Sequence, residues 1–150
     1  MADVYKGYRF LDLTDDELTD YYSGLYEFPD MMENEYGLIR SNDEIIAKFC
    51  YQNGMIRQVR YPVINDHYDN TIKARNEYQN CAIDLLQDPS TKVKVILGKA
   101  GSGKDFLMTS AALALIDKGK FKKIVFIRPN LPVAGIPDIG YLFSDRKSVV

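Results

Sequence analysis

Gly98-Lys99-Ala100-Gly101-Ser102-Gly103-Lys104, closed by Asp105, lies between the β-branched run Val93-Lys94-Val95-Ile96-Leu97 and a Leu- and Ala-rich stretch that starts at Phe106. The run before it predicts a short buried parallel strand, and the stretch after it, free of Gly and Pro, predicts a helix over 105–118. The loop therefore joins a strand to a helix. Glycines at 98, 101 and 103 permit backbone conformations and close approaches that a Cβ would block. A helix N-terminus just beyond adds unpaired N–H groups and the positive end of its dipole. This spacing is that of a loop that wraps polyphosphate in backbone N–H groups and sets a lysine on the outer phosphates. A triphosphate is the natural occupant. Gly98, Lys99, Ala100, Gly101, Ser102, Gly103 and Lys104 are thus the expected nucleotide-binding residues, with Lys104 the one expected to act on the transferred phosphate. An ordinary glycine-rich turn would not require the strand, the spacing, the lysine and the helix together.

The residue after the lysine departs from the usual pattern, in which a Ser or Thr hydroxyl ligates Mg²⁺; here it is Asp105. A carboxylate is a good hard-oxygen ligand for that ion but adds negative charge beside a phosphate chain. Two outcomes follow: Asp105 holds the metal directly or through water, or the site binds nucleotide without efficient turnover. The expectation is a competent site, with Asp105 at the metal position.

Composition allows a water-soluble protein of one domain, or one domain and a smaller one: 150 residues, 46% apolar, net charge −2. That charge carries no global nucleic-acid signature. Lysines at 118, 120, 122 and 123 form a local basic patch, of the kind that more often marks a helix C-terminus than a phosphate track. Cys50 and Cys81 are far apart without metal-ligand spacing and read as reduced thiols. A lone histidine, His67, argues against histidine-based metal or triad chemistry. No apolar run approaches transmembrane length and Met1-Ala2-Asp3 opens no secretory signal, so no membrane association and a cytoplasmic location are expected.

The first seventy residues are tyrosine-rich and acidic, and differ from the rest. A strand is expected within Val4–Leu13, then a helix opened by the capping box Thr14-Asp15-Asp16-Glu17. Tyr36–Arg40, Glu44–Tyr51 and Met55–Tyr61 read as strands, with Asn53-Gly54 as a hairpin turn. Residues 1–70 thus form a small α+β or β-rich module whose tyrosines pack a sheet rather than stack bases. Asn65–Asn70 is a polar linker. From Thr71, helix Arg75–Leu86, strand Val93–Leu97, the loop, helix 105–118 and strand Lys123–Ile127 predict a β-α-β core with parallel strands and a right-handed crossover. Ligands sit at the carboxyl ends of such strands, so Arg128-Pro129 falls at the same edge as the loop.

The loop, together with Arg128-Pro129-Asn130-Leu131-Pro132-Val133 and Asp138-Ile139-Gly140-Tyr141-Leu142, resembles the PhoH-like ATPases, P-loop proteins with a RecA-like core akin to helicases. Ile72–Gln79 is similar to the segment that leads into that core, and Asn76-x-x-Gln79 to the adenine-reading motif of related helicases. The resemblance is strong over 71–142; the preceding part is more weakly similar to the module that joins a PIN nuclease domain to the ATPase in longer relatives. Asp105 in place of Thr, and about two extra residues at Ala134–Pro137, depart from the family pattern. The fold class implied is α/β, an incomplete P-loop, RecA-like parallel sheet core over 71–144, behind the small module. The resemblance further implies that Gln79 reads adenine, that Lys104 neutralises the β and γ phosphates, that Asp105 occupies the Mg²⁺ position, and that Arg128 lies near the nucleotide edge. ATP and Mg²⁺ are the cofactors and RNA or DNA the partner of an ATPase that remodels nucleic acid.

Phosphoryl transfer in this class needs a second acidic strand end and a water-orienting residue, which the chain does not reach. Asp145–Val150 can be back-translated to a sequence that looks like a common sequencing adapter, so the expectation is a truncated gene whose tail, 145–150, is not native, and a fragment inactive alone. Two other readings stay open: a small-molecule or nucleotide kinase using Ser-Gly-Lys-Asp-Phe, and a nucleotide-binding module without turnover. Kinases of that type place the loop close to the N-terminus, whereas almost a hundred residues precede it here.

Overall fold

The computed structural model describes residues 4–28, 30–65 and 70–127. Along the chain run β1 (Tyr8–Asp12), α1 (Asp15–Ser23), β2 (Tyr36–Ser41), β3 (Glu44–Gln52), β4 (Met55–Gln58), β5 (Val63–Asn65), β6 (Thr71–Lys73), α2 (Glu77–Gln87) and α3 (Lys104–Asp117). The class is mixed α/β. One sheet has the order β1-β2-β3-β4, with β1 parallel to β2 and the other pairs antiparallel; β5 and β6 form a separate antiparallel pair.

Local chemistry explains the element ends in the first part. The strand expected from Val4 begins only at Tyr8, after Gly7 turns the backbone at φ 80°. Thr14 and Glu17 close the capping box reciprocally, and Gly24 ends α1 in the left-handed region at φ 73°. Asn53-Gly54 makes the anticipated hairpin, both residues having positive φ. Asn42-Asp43, at φ 50° and 64°, makes a second one that the sequence reading passed over.

β2 is buried on both faces along Tyr36–Ile39, with aromatic rings covering one side and residues of α2 the other. On the α1 side Gly37 pairs with Phe49, whose ring lies where a Cβ on residue 37 would stand, and Tyr21 and Phe28 pack their rings against Phe49. On the other side Tyr36, Leu38 and Cys50 cluster with Cys81 of α2, flanked by Phe10, Val59 and Leu85. Of the tyrosines, Tyr36 packs into the sheet's core and Tyr21 against Phe49, while Tyr5, Tyr8, Tyr22 and Tyr78 are exposed. A second cluster joins Ile64, Ile83 and Leu86 to Leu107, Ala111 and Ala114 of α3, with Ile72 and Ile96 at its margin. Helix α2 belongs to both clusters and is the element through which the two halves share a core.

The expected strands Val93–Leu97 and Lys123–Ile127 are not formed, so the parallel β-α-β unit is absent among the described residues. The cause is the missing neighbour: a strand exists only when its N–H and C=O groups pair along a ladder, and β-branched composition does not supply one. Leu97 and Ile127 are accordingly 87% and 88% exposed. The polar linker of 65–70 is flanked by the β5–β6 pair, in which Asn65 lies opposite Thr71, while its residues 66–69 and His67 lie outside the described residues. The same holds for Arg128 and for everything expected of 129–150.

Candidate functional site

The loop is built around two glycines in the left-handed region, Gly101 at φ 74° and Gly103 at φ 84°, where any other residue would be strained. A Cβ at Gly98 would meet Ser102 Oγ at 3.0 Å, so the loop closes tightly there as well. Within it the Ser102 N–H donates to the Lys99 carbonyl at 3.3 Å. Gly103 caps α3 without a side-chain hydrogen bond, so no cap side chain stands over the first-turn N–H groups. Lys104 turns back into the loop, its Nζ donating to the carbonyls of Gly98 and Lys99 at 2.8 and 2.7 Å, with Ser102 Oγ at 3.4 Å. Asp105 sits in the first turn of α3. Lys99, Ala100 and Gly101 are exposed at the mouth of the loop.

Gln79 reaches the loop from α2. Asn76 caps that helix by accepting the Gln79 N–H at 2.9 Å, and Gln79 Nε2 then donates to the Ser102 carbonyl at 3.2 Å while its Oε1 accepts the Arg75 N–H at 2.8 Å. Two residues 23 positions apart in sequence thus meet. The amide orientation is set, and one N–H and one lone pair of the side chain are left over for a further partner. No group of three or more His, Cys, Asp or Glu poised to hold a metal ion occurs among the described residues.

Farther along α2 lies a buried polar cluster that sequence reading missed. Asp84, fully buried on α2, accepts hydrogen bonds from Tyr36 Oη (2.6 Å), Arg57 Nη2 (2.8 Å) and Nη1 (3.3 Å), and the N–H groups of Arg60 (2.7 Å) and Tyr61 (3.0 Å). Those two amides are why β4 ends at Gln58 instead of running to Tyr61: they serve the carboxylate rather than a ladder. Arg57 also reaches Asp88 at 3.1 Å and Gln52 Oε1 at 2.8 Å. Burial pushes the Asp84 carboxyl up, but the bonds from Arg57, Tyr36, Tyr61 and Arg60 outweigh it and hold the group below the usual carboxylate range. Asp88 is lowered in the same way, burial being outweighed by bonds from Ser90 and Gln52 and by the Arg57 charge. Lys94, four residues before the loop, donates to the carbonyls of Leu86 (3.0 Å) and Asp88 (2.6 Å) at the end of α2; burial, opposed by Asp88, lowers its pKa. The one sequence signal was an acid at 84 among the apolar positions 81, 83, 85 and 86 of a helix.

Fold and site together define a mixed α/β protein that presents a glycine-rich loop, with its lysine, at the start of a helix. Residues 71–150 match the PhoH-like protein family, and the chain belongs to that family. It is 36% identical over 86 residues to the protein PhoH2 of Bacillus subtilis, a match that covers 57% of this chain and 19% of that relative. To PhoH2 of Thermobispora bispora it is 38% identical, and to that of Mycolicibacterium smegmatis 39%, each over 72 residues, 47% of this chain and 16% of the relative. The chain therefore matches well under half the length of these curated relatives. No solved structure gives a significant match. No helix among the described residues is long and apolar enough to cross a membrane.

Proposed function

We propose that this chain carries the nucleotide-binding part of an ATPase, with ATP held in the loop 98–104 and its hydrolysis coupled in the full-length protein to remodelling of RNA or DNA. The observation that supports this best is the posture of Lys104. Its ammonium rests on the Gly98 and Lys99 carbonyls inside the loop. Loop amides and α3 N-terminus would cradle the phosphates, and Lys104 would exchange those carbonyls for β and γ oxygens. Gln79, already oriented by Arg75 and Ser102, would read adenine with its remaining N–H and lone pair.

The residues fit a hydrated magnesium ion shared with phosphate. Asp105, a carboxylate in the first turn of α3, would hold it directly or through water. When bound, the ion neutralises charge on the transferred phosphoryl group. Residues 71–144 would belong to a RecA-like core and 1–70 to a small module packed on it through α2. Val93–Leu97 and Lys123–Ile127 would become strands once neighbours supply a ladder.

Lys104→Ala removes charge-assisted contacts of about 1.5–3 kcal/mol each. Calorimetric titration of the full-length protein with Mg²⁺-ATP should show affinity at least tenfold weaker, the smaller end of that range. Unchanged affinity would refute the phosphate-loop assignment, and a hydrolysis rate indifferent to added RNA and DNA would refute the coupling.

A further inference from the structure

The loop and the segment that enters it are tied to opposite ends of one helix. Near its N-terminus α2 offers Gln79, whose Nε2 holds the Ser102 carbonyl at 3.2 Å. At its C-terminus the carbonyls of Leu86 and Asp88 hold the ammonium of Lys94, in the segment that enters the loop. The helix itself, eleven residues from Glu77 to Gln87, is a rod about 16 Å long. Its middle is not free to shift, because Asp84 takes donors from β2, β4 and the chain after β4. Every one of those donors comes from the first 61 residues. Buried hydrogen-bonded charges tolerate little displacement: moving Asp84 by an ångström would break its two bonds to the Arg57 guanidinium, itself only 8% exposed.

We infer that Arg57 and Asp84 are positioning residues for the nucleotide: they clamp α2 onto the N-terminal sheet and thereby set, through Gln79 and Lys94, the shape in which the loop meets phosphate. The inference rests on the phosphate-loop reading above and adds to it a dependence on residues that never touch the ligand. Loops pinned only at their own ends sample many shapes, and a ligand that needs one of them binds more weakly by the fraction of time it is present. A braced helix holding both the loop and the segment that enters it raises that fraction. The N-terminal sheet thus has a part in nucleotide affinity as well as in the core.

The test is a cycle of variants in the full-length protein, with Mg²⁺-ATP affinity read by calorimetry and folding checked by circular dichroism. Arg57→Met should weaken binding about fivefold or more, the lower bound for coupling between distinct sites. In a Gln79→Ala background, where one tie is already cut, the same change should have a markedly smaller effect. Tyr36→Phe keeps the ring and removes one Asp84 donor; it is the milder arm, measured in the same two backgrounds, and decides the matter if Arg57→Met does not fold. A folded variant with affinity within twofold of the parent overturns the inference while leaving the phosphate loop intact, and so does strict additivity with Gln79→Ala. Failure of the parent protein to bind ATP at all would remove both readings.

Discussion

Replacing Asp84 with alanine should be among the most damaging single changes in this chain. The carboxylate is fully buried and accepts five hydrogen bonds, two from the Arg57 guanidinium, one from Tyr36 and two from the backbone at 60 and 61. Removing one partner of a buried pair leaves the other charge uncompensated and typically costs about 3–5 kcal/mol. Asp88 stays within 3.1 Å of Arg57 and moderates that penalty, whereas the two stranded amides and the Tyr36 hydroxyl raise it. We therefore expect a loss of about 3–4 kcal/mol out of a total on the order of 5–15. Urea unfolding measures it, followed by far-ultraviolet circular dichroism and tyrosine fluorescence, which the 11 tyrosines and absence of tryptophan make clean. Acid should act in the same direction. The folded carboxyl is held below its ordinary value, so its contribution is complete above the unfolded pKa of about 3.9 and disappears as pH falls through the lower folded value. In Asp84→Asn that part of the acid dependence should be gone. A loss below about 1 kcal/mol, the worth of one ordinary hydrogen bond, would refute the view that this cluster locks α2 to the sheet.

Two further outcomes are open to measurement. If Asp105 assists the metal, Asp105→Ala should weaken Mg²⁺-ATP more than metal-free ATP, while a merely repulsive carboxylate would give tighter binding of both on removal; titrations with and without Mg²⁺ separate the cases. Burial pushes the thiol of Cys50 up to about 11 and that of Cys81 up to about 12, in each case mainly by desolvation. Neither should react with a thiol reagent at pH 8 in the folded protein, and both should react at once in urea; a fast native reaction would show that the cluster around Tyr36 opens readily.

Sequence alone decides whatever a few neighbouring residues settle among themselves. The Thr14 box, the Asn53-Gly54 turn, the helix behind Asn76 and the glycine pattern of 98–103 each depend on bonds within about four positions, so their spacing in the chain is their geometry. Resemblance added Gln79, and the fold set it beside Ser102, a neighbour that helix propensity alone does not name. Tertiary structure decided the rest. Val93–Leu97 and Lys123–Ile127 have strand composition and no ladder, because a strand's hydrogen bonds belong to its neighbour as much as to itself. Met55–Tyr61 stops short for the converse reason: a carboxylate 23 and 24 residues away claims the amides of Tyr61 and Arg60. Sequence shows an aspartate on a helix; only the packed chain brings Tyr36, Arg57 and two backbone donors to it, and burial then turns an ordinary acid into the point where two halves of the protein are joined.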